Sequence, residues 1–262
     1  MKRINRRSRM MLFTVLMAVM LAAVYSSGIL ISEDMVTGSF LNAKLPPCPA
    51  HPFGTDALGR DLFFRTLKGM SVSITVGLAA SAVSAVIAVL AGAAAAIGSK
   101  RVDAVISWLI DLVMGIPHTI LIILISFALG RGLKGLIAGI AATHWCSLAR
   151  LVRGEVLQLR SERYVAVSRK LGKSGGFILM HHMLPHLAPQ FLVGLILMFP
   201  HAILHEASIS FLGFGLPPEQ PAIGIILSES MRCLSAGMWW SAVLPGLTLV
   251  LLVLMIDRLG EQ

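Results

Sequence analysis

The sequence predicts an all-α integral membrane protein with about six transmembrane helices, and three observations support this fold class. Of the 262 residues, 56% are hydrophobic and only 13% are charged, against about 25% charged residues in soluble domains. The apolar residues fall in six runs, most of them close to the roughly 20 residues that span a bilayer. The net charge of +9 lies between these runs and not along one basic face, which favours membrane orientation over nucleic-acid binding.

The six runs cover residues 10–31, 71–98, 104–129, 136–149, 187–212 and 240–256. The first follows five basic residues, but it is longer than the apolar core of a secretory signal and lacks a clear cleavage site. We therefore predict that it is an uncleaved first transmembrane helix. The fourth run is short for a span and continues into residues 150–159, so its helix is expected to emerge into water.

The basic residues predict the orientation. With the N-terminus inside, segments 1–9, 100–101 and 150–173 together with Arg258 hold fifteen of the 22 lysines and arginines. The positive-inside rule then places both termini in the cytoplasm. The expected organisation is a cytoplasmic N-terminus (1–9), a first helix (10–31), an extracytoplasmic segment (32–70), a five-helix core (71–258) with an internal loop at 150–185, and a tail (259–262).

The internal loop predicts a short amphipathic helix at residues 160–171. Its apolar strip lies beside basic residues, and Gly172 and the Gly175–Gly176 pair are expected to end it before Pro185 opens the next span. Two interpretations remain open, since such a helix can fit a groove in a partner protein or rest on anionic lipid headgroups. The strip and its basic neighbours are Tyr164, Val167, Leu171, Arg163, Arg169 and Lys170.

Polar residues inside the apolar runs indicate a path across the membrane, because they are costly there. His201 and His205 are four residues apart on one helix face, and two imidazoles at that spacing can meet one nickel, copper or zinc ion. His144 and His118 could face the same path. The alternative is that each histidine bonds a backbone carbonyl. Two acidic residues are further candidates: Asp111 as a lining group or an internal pair, and Glu206 as a hydrogen-bonded support for His205.

No phosphate-binding glycine loop occurs, and no soluble stretch is long enough to bind ATP. The chain is therefore predicted to be non-catalytic and to carry no cofactor. Two remote alternatives are a membrane di-iron enzyme, which the H-x-x-x-H and H-H pairs resemble, and a secondary transporter, for which no internal repeat is found.

Three ordered motifs resemble permease subunits of ABC-type importers. The internal loop matches their E-A-A, three residues, Gly, nine residues, Ile-x-Leu-Pro pattern at Gly172, Leu184 and Pro185. SISFLGFGLPP is similar to their segment after the fifth span. HPFGTDALGRDLFFR resembles the G-T-D-x-x-G-R-D element of the C-type subunit in the peptide/nickel branch, and its matching residues are Gly54, Thr55, Asp56, Gly59, Arg60 and Asp61.

This resemblance implies a type I ABC importer permease in the inner membrane of a bacterium. The expected partners are a homologous second permease, two ATPase subunits that hold ATP and Mg²⁺, and an extracytoplasmic binding protein. The loop residues Arg163, Tyr164, Val167, Arg169, Lys170, Leu171 and Gly172 would couple to the ATPases. The path would include His144, His201, His205, Glu206 and Asp111.

The resemblance also bears on substrate and on the external motif. T-H-W at 143–145 and the His201–His205 spacing are similar to nickel-type permeases. Nickel or a related metal, free or chelated, is the preferred substrate, and short peptides are the alternative. Glycine- and aspartate-rich turns usually serve structure, so the external motif is expected to brace the second span and not to contact the binding protein.

Overall fold

The computed structural model describes residues 6–260, with the side chains of all of these except residues 6–10 and 13. The predicted N-terminal segment 1–9 and tail 259–262 thus lie partly outside the described residues. Every regular element in the described part is helical, as predicted. The α-helices are α1 (Arg6–Leu30), α2 (Glu33–Val36), α3 (Leu62–Ile97), α4 (Lys100–Gly115), α5 (His118–Ala128), α6 (Gly132–Ser161), α7 (Arg163–Lys170), α8 (Gly175–Ile178), α9 (Leu184–Phe211), α10 (Ile223–Leu234) and α11 (Trp240–Gly260).

The described residues account for four or five of the about six predicted membrane spans. Four helical segments in the described part are long and apolar enough to cross a bilayer: α3, α6, the continuous Gly175–Phe211 unit and α11. A bent pair formed by α4 and α5 makes a fifth if it is counted as one span. The predicted first span corresponds to α1, a helix of 25 residues, and the part of it whose side chains are described without a gap, Thr14–Leu30, is apolar.

The predicted third span, 104–129, is broken and not straight. α4 ends at Gly115, α5 begins at His118, and the two axes meet at 99°. A residue before proline is pushed out of the helical region by the pyrrolidine ring, and Ile116 accordingly has an extended backbone (φ −96°, ψ 136°). Pro117 also lacks the N–H that a continuous helix would use.

α3 begins nine residues earlier than the predicted second span. Asp61 caps it, because its carboxylate accepts hydrogen bonds from the backbone N–H of Phe63 (2.8 Å) and of Phe64 (3.2 Å). At 1.5 Å per residue its 36 residues extend about 54 Å, well beyond the about 30 Å hydrocarbon core. Part of α3 therefore projects from the bilayer.

The internal loop folds into two short helices. α7 is separated from α6 by the extended residue Glu162, and Gly172 follows its C-terminal end with a left-handed backbone (φ +78°). The break predicted at Gly175 and Gly176 is wrong. These residues open α8, since the hydroxyl of Ser174 accepts from the N–H of Phe177 and caps it.

Pro185 lies where the next helix begins, as predicted, but no break separates that helix from the turn before it. It lies in the first turn of α9, and the preceding turn, Leu179–Met183, is a π-helix that joins α8 to α9. A wider turn with i→i+5 bonding accommodates a proline that cannot donate a backbone hydrogen bond. The last part of the internal loop, from Gly175 onward, and the next span are therefore one continuous rod.

Small residues allow α3 to occupy the centre of the molecule. It packs mainly against α6 and α9, and α1 lies on its other side. A Cβ on Gly92 would meet the carbonyl oxygen of Ala149 at 2.6 Å, and the hydroxyl of Ser84 donates to the carbonyl of Ala141 at 2.9 Å. Such close backbone approach is typical of transmembrane helix packing.

Candidate functional site

A cavity of about 770 Å³ opens where the α4–α5 break faces α6 and α9. Polar groups are concentrated on its wall although the surrounding helices are apolar. Its polar and sulfur-bearing lining residues are Met114, His118, Thr143, His144, Cys146, Ser147, Met198, His201 and His205.

Three of these histidines form a compact cluster, here called the histidine triad: His118, His144 and His205. One ring nitrogen from each lies within 4.8 Å of the other two. The ring centroids are 4.5 Å apart for His118 and His144, 4.9 Å for His118 and His205, and 5.1 Å for His144 and His205. All three rings are partly buried.

The proline break brings the triad together. His118 is the first residue of α5, directly after Pro117, and the sharp turn there directs α5 onto α6. His144 lies near the middle of α6, and His205 lies on α9 beyond Pro200. A straight third span would lack this turn. The feature of the sequence that could have shown the turn, and with it the position of His118, is the Pro117–His118 step.

Hydrogen bonds orient two of the three rings. Nδ1 of His144 lies 3.0 Å from the carbonyl oxygen of Ile140, within its own helix. Nε2 of His118 lies 3.1 Å from the same Nδ1, and the hydroxyl of Thr143 lies 3.2 Å from each of these nitrogens. Thr143 itself donates to the carbonyl oxygens of Ile140 (3.0 Å) or Gly139 (3.2 Å).

The predicted metal pair His201 and His205 is only half supported by this geometry. Both side chains line the cavity, as their spacing indicates. His201, however, is exposed and stands outside the compact triad, and His205 is grouped with His118 and His144 instead. Long-range contact between α5, α6 and α9 decides the grouping, and a four-residue spacing cannot reveal it.

The two predicted acidic path residues lie away from the cavity. Glu206 is completely buried, and its carboxylate accepts from the hydroxyls of Ser73 (2.5 Å) and Ser210 (2.9 Å), not from His205. One residue along a helix turns the side chain by about 100°, so Glu206 faces α3 while its neighbour faces the cavity. Asp111 is exposed and forms an ion pair with Arg150.

The external motif forms an ion-pair network at the start of α3, here called the external charge cluster: Asp56, Arg60, Arg65 and Glu229. Asp56 accepts from Nε of Arg60 (2.5 Å) and from Arg65 (2.8 Å). Glu229 accepts from Arg60 (2.6 Å) and from Arg65 (2.9 Å). The network therefore joins the external motif to α10. Glu229 was not predicted from the sequence, because no motif there connects it with residues 56–65.

The remaining motif residues hold the loop in place. The hydroxyl of Thr55 donates to the carbonyl of Asn42 (2.5 Å) and accepts from the N–H of Leu45 (2.8 Å). Gly54 and Gly59 have positive φ angles of +70° and +74°, which favour glycine. These contacts hold the loop at the start of α3. That the motif does not also contact the binding protein stays a prediction.

The predicted coupling helix leaves its apolar strip uncovered. Tyr164, Val167 and Leu171 are 38%, 54% and 73% exposed, whereas Val165 is fully buried and anchors α7 to the body of the protein. On the inner side the ring of Tyr164 contacts His182, with centroids 5.9 Å apart. An anchored helix with an exposed apolar strip is suited to contact with a further molecule.

Residues 86–262 match a protein family described as "binding-protein-dependent transport system inner membrane component". The chain is 32% identical to the dipeptide transport system permease protein DppC of Bacillus subtilis (strain 168) over 229 residues, covering 87% of this chain and 72% of that one. It is 36% identical over 206 residues to the oligopeptide transport system permease protein OppC of the same strain (79% and 68% covered).

A third relative matches almost the whole chain. It is a putative peptide transport system permease protein of Brucella suis biovar 1 (strain 1330), 36% identical over 257 residues, covering 98% of this chain and 86% of the relative. All three are described as peptide-transport permeases.

Proposed function

We propose, starting from the fact that this chain belongs to the family of binding-protein-dependent transport system inner membrane components, that it forms one half of the translocation path of an ATP-driven importer. The observation that carries this proposal is the cavity at the α4–α5 break. Imidazole, hydroxyl and thioether groups line this cavity, whereas the helices around it are mostly apolar. A polar concavity inside a membrane protein is expected where a cargo passes.

The other half of the path is proposed to come from a second, homologous permease. α4 supports this, because Ile110 is its only buried residue in the described structure, and large side chains such as Trp108 and Leu112 are exposed. Facing a second permease would cover part of this surface, and lipid would cover the rest.

Two ATPase subunits are proposed to dock on α7. Its exposed strip supplies apolar contact area, and Arg169 and Lys170 supply positive charge at the C-terminal end. α7 lies between α6 and the continuous Gly175–Phe211 rod, and both of these helical segments line the cavity. A push on α7 would therefore be transmitted to the cavity wall as a rigid-body movement.

Short peptides are the first candidate cargo. The support comes from the relatives, whose names describe dipeptide, oligopeptide and peptide transport. A peptide carries amide and terminal groups that imidazole and hydroxyl side chains can hydrogen-bond.

We infer further that both termini of the chain are cytoplasmic, that an extracytoplasmic binding protein delivers the cargo and that the membrane is the bacterial inner membrane.

Nickel or a related transition metal is the second candidate cargo, and the histidine triad is the observation that favours it. Imidazole is a preferred ligand of nickel, copper and zinc. The names of the relatives given above describe peptide transport and not metal transport. This candidate therefore rests on the triad and on the likeness of residues 143–145 and of the His201–His205 spacing to nickel-type permeases.

Uptake in cells decides between the two. A strain carrying this gene and its neighbours is given a labelled dipeptide and, separately, radioactive nickel, beside a strain in which this gene is deleted. The peptide proposal predicts that only dipeptide uptake disappears on deletion. Loss of nickel uptake with intact dipeptide uptake would reverse the order of the candidates, and loss of neither would contradict the importer.

A further inference from the structure

We propose that the histidine triad is a three-ligand binding site for a transition-metal ion, with His118, His144 and His205 as ligands and His201 outside the site. The location of this site on the cargo path rests on the proposed function, whereas binding of the ion does not. The sequence spacing pointed to His201 and His205. The structure instead points to three rings from three different helices.

Free ring nitrogens support a ligand role. Within the described residues, hydrogen bonds involve only Nε2 of His118 and Nδ1 of His144, and neither nitrogen of His205 has a partner. Each ring therefore keeps at least one nitrogen with an available position. Three imidazoles placed together only to pack or to bond one another would be expected to use more of these nitrogens, because buried polar atoms are normally paired.

One contact of His144 is of the kind that metal-ligating histidines make. Its Nδ1 faces the carbonyl oxygen of Ile140 at 3.0 Å. A ligating histidine commonly donates one ring N–H to a backbone carbonyl, which fixes the tautomer and leaves the other nitrogen for the metal. Nε2 of His144 is thus the nitrogen predicted to bind the ion.

The distances require only local adjustment. Nitrogens bound tetrahedrally at 2.0–2.1 Å from a metal lie about 3.4 Å from one another. One ring nitrogen of each histidine lies within 4.8 Å of those of the other two, so rotation of the rings into the adjoining cavity can bring three nitrogens to the distances that an ion requires. His118 would exchange its contact with His144 for the ion.

The ligand set indicates the type of ion and its mode of binding. Three imidazoles without a carboxylate suit zinc, nickel, copper or cobalt and not the oxygen-seeking magnesium or calcium. Three protein ligands leave a fourth position open. That position faces the cavity, so water or a donor group of a chelating cargo can occupy it.

Cobalt titration tests the site directly. The full-length chain, purified in detergent without a polyhistidine tag, is titrated with Co²⁺ and then with Ni²⁺, and visible absorption and bound metal are measured. We expect one tightly bound Co²⁺ per chain with the strong visible bands of low coordination number, and no displacement by excess Mg²⁺. Alanine or glutamine at any triad position should weaken binding at least about tenfold, since even outer-shell partners contribute 10–100-fold.

His201→Ala is the matched control, because His201 lines the same cavity outside the triad. It should change affinity less than about threefold. A double variant, His181→Ala with His182→Ala, controls for metal binding by the two adjacent histidines of the internal loop. X-ray absorption of the metal-loaded wild-type chain gives a measurement that does not depend on any variant's folding, and it should show three imidazoles.

Two results would overturn the proposal. One is the absence of stoichiometric Co²⁺ and Ni²⁺ binding, or fewer than three imidazoles around the bound ion. The other is a loss in His201→Ala equal to that in the triad variants. Neither result would affect the importer assignment, which depends on uptake and ATP hydrolysis, and failure of uptake would leave the measured metal site standing.

Discussion

Asp56 receives hydrogen bonds from two backbone N–H groups and from two arginines, one of which, Arg65, is almost completely buried. A buried guanidinium is tolerated only when its charge is compensated and its donors are bonded. The carboxylate of Asp56 provides this compensation together with Glu229. At the scale of single residues, the external charge cluster is therefore the position where one substitution should be most damaging outside the core.

Asp56→Asn removes the negative charge while retaining the size of the side chain. Removing one partner of a buried ion pair costs about 3–5 kcal/mol, so we expect a marked fall in the melting temperature of the purified protein. Glu33→Gln is the control, because Glu33 pairs with Lys68 but is exposed, and surface pairs contribute about 0–1 kcal/mol. Equal melting temperatures for the two variants would show that the cluster does not brace α3.

At the scale of elements, two glycines are needed for different reasons, one for its backbone conformation and one for the space that it leaves to a neighbouring helix. Gly172 has open space around its Cβ position but a left-handed backbone, whereas Gly92 has an ordinary helical backbone but no space. The backbone of Gly172 affects the end of α7, and the lack of space at Gly92 affects the packing of α3 on α6.

Gly172→Ala tests the first constraint. A left-handed backbone costs an alanine roughly 1–2 kcal/mol, which corresponds to a factor of about 5–30 in local opening. We expect hydrogen exchange of the α7 amides to accelerate by that factor. Gly175→Ala also has nothing near its Cβ position but starts a helix, so it should leave α7 unchanged. Acceleration in both variants would contradict a role of the left-handed turn in ending α7.

Gly92→Ala tests the second constraint. Its new methyl group would overlap the carbonyl of Ala149 and the side chain of Val152. Overpacking costs about 1–3 kcal/mol, and the higher helix propensity of alanine recovers only about 1 kcal/mol. Gly154→Ala, on the open face of α6, should be neutral or stabilising by thermal unfolding. If Gly92→Ala were as stable as Gly154→Ala, α3 and α6 would not be in the close contact described.

At the scale of the whole molecule, the sequence predicted well what depends on local composition. The all-helical class and the end of α7 before Gly172 both follow from hydropathy or turn chemistry. The α4–α5 bend, the early start of α3 and the grouping of His118 with His144 and His205 depend on how distant segments pack. Periodicity within one helix contains no information on which faces of different helices meet.

For the same reason, the sequence did not predict the partners of the buried acidic residue Glu206. Glu206 was expected beside His205 because the two are adjacent in sequence, yet adjacency on a helix turns them to different faces. Its partners, Ser73 and Ser210, lie on a neighbouring helix and one turn further along its own. Only the packing of α9 on α3 shows where this carboxylate is satisfied.

Reconstitution tests the central claim most directly, namely that this chain is one half of a path driven by ATPases on other chains. The chain is placed in proteoliposomes alone, or together with the second permease, the ATPases and the binding protein encoded beside it, and cargo uptake and ATP hydrolysis are measured. We predict neither activity for the chain alone, and in the full set uptake that requires ATP and hydrolysis that rises when cargo-loaded binding protein is added. Cargo accumulation by the chain alone would contradict the claim.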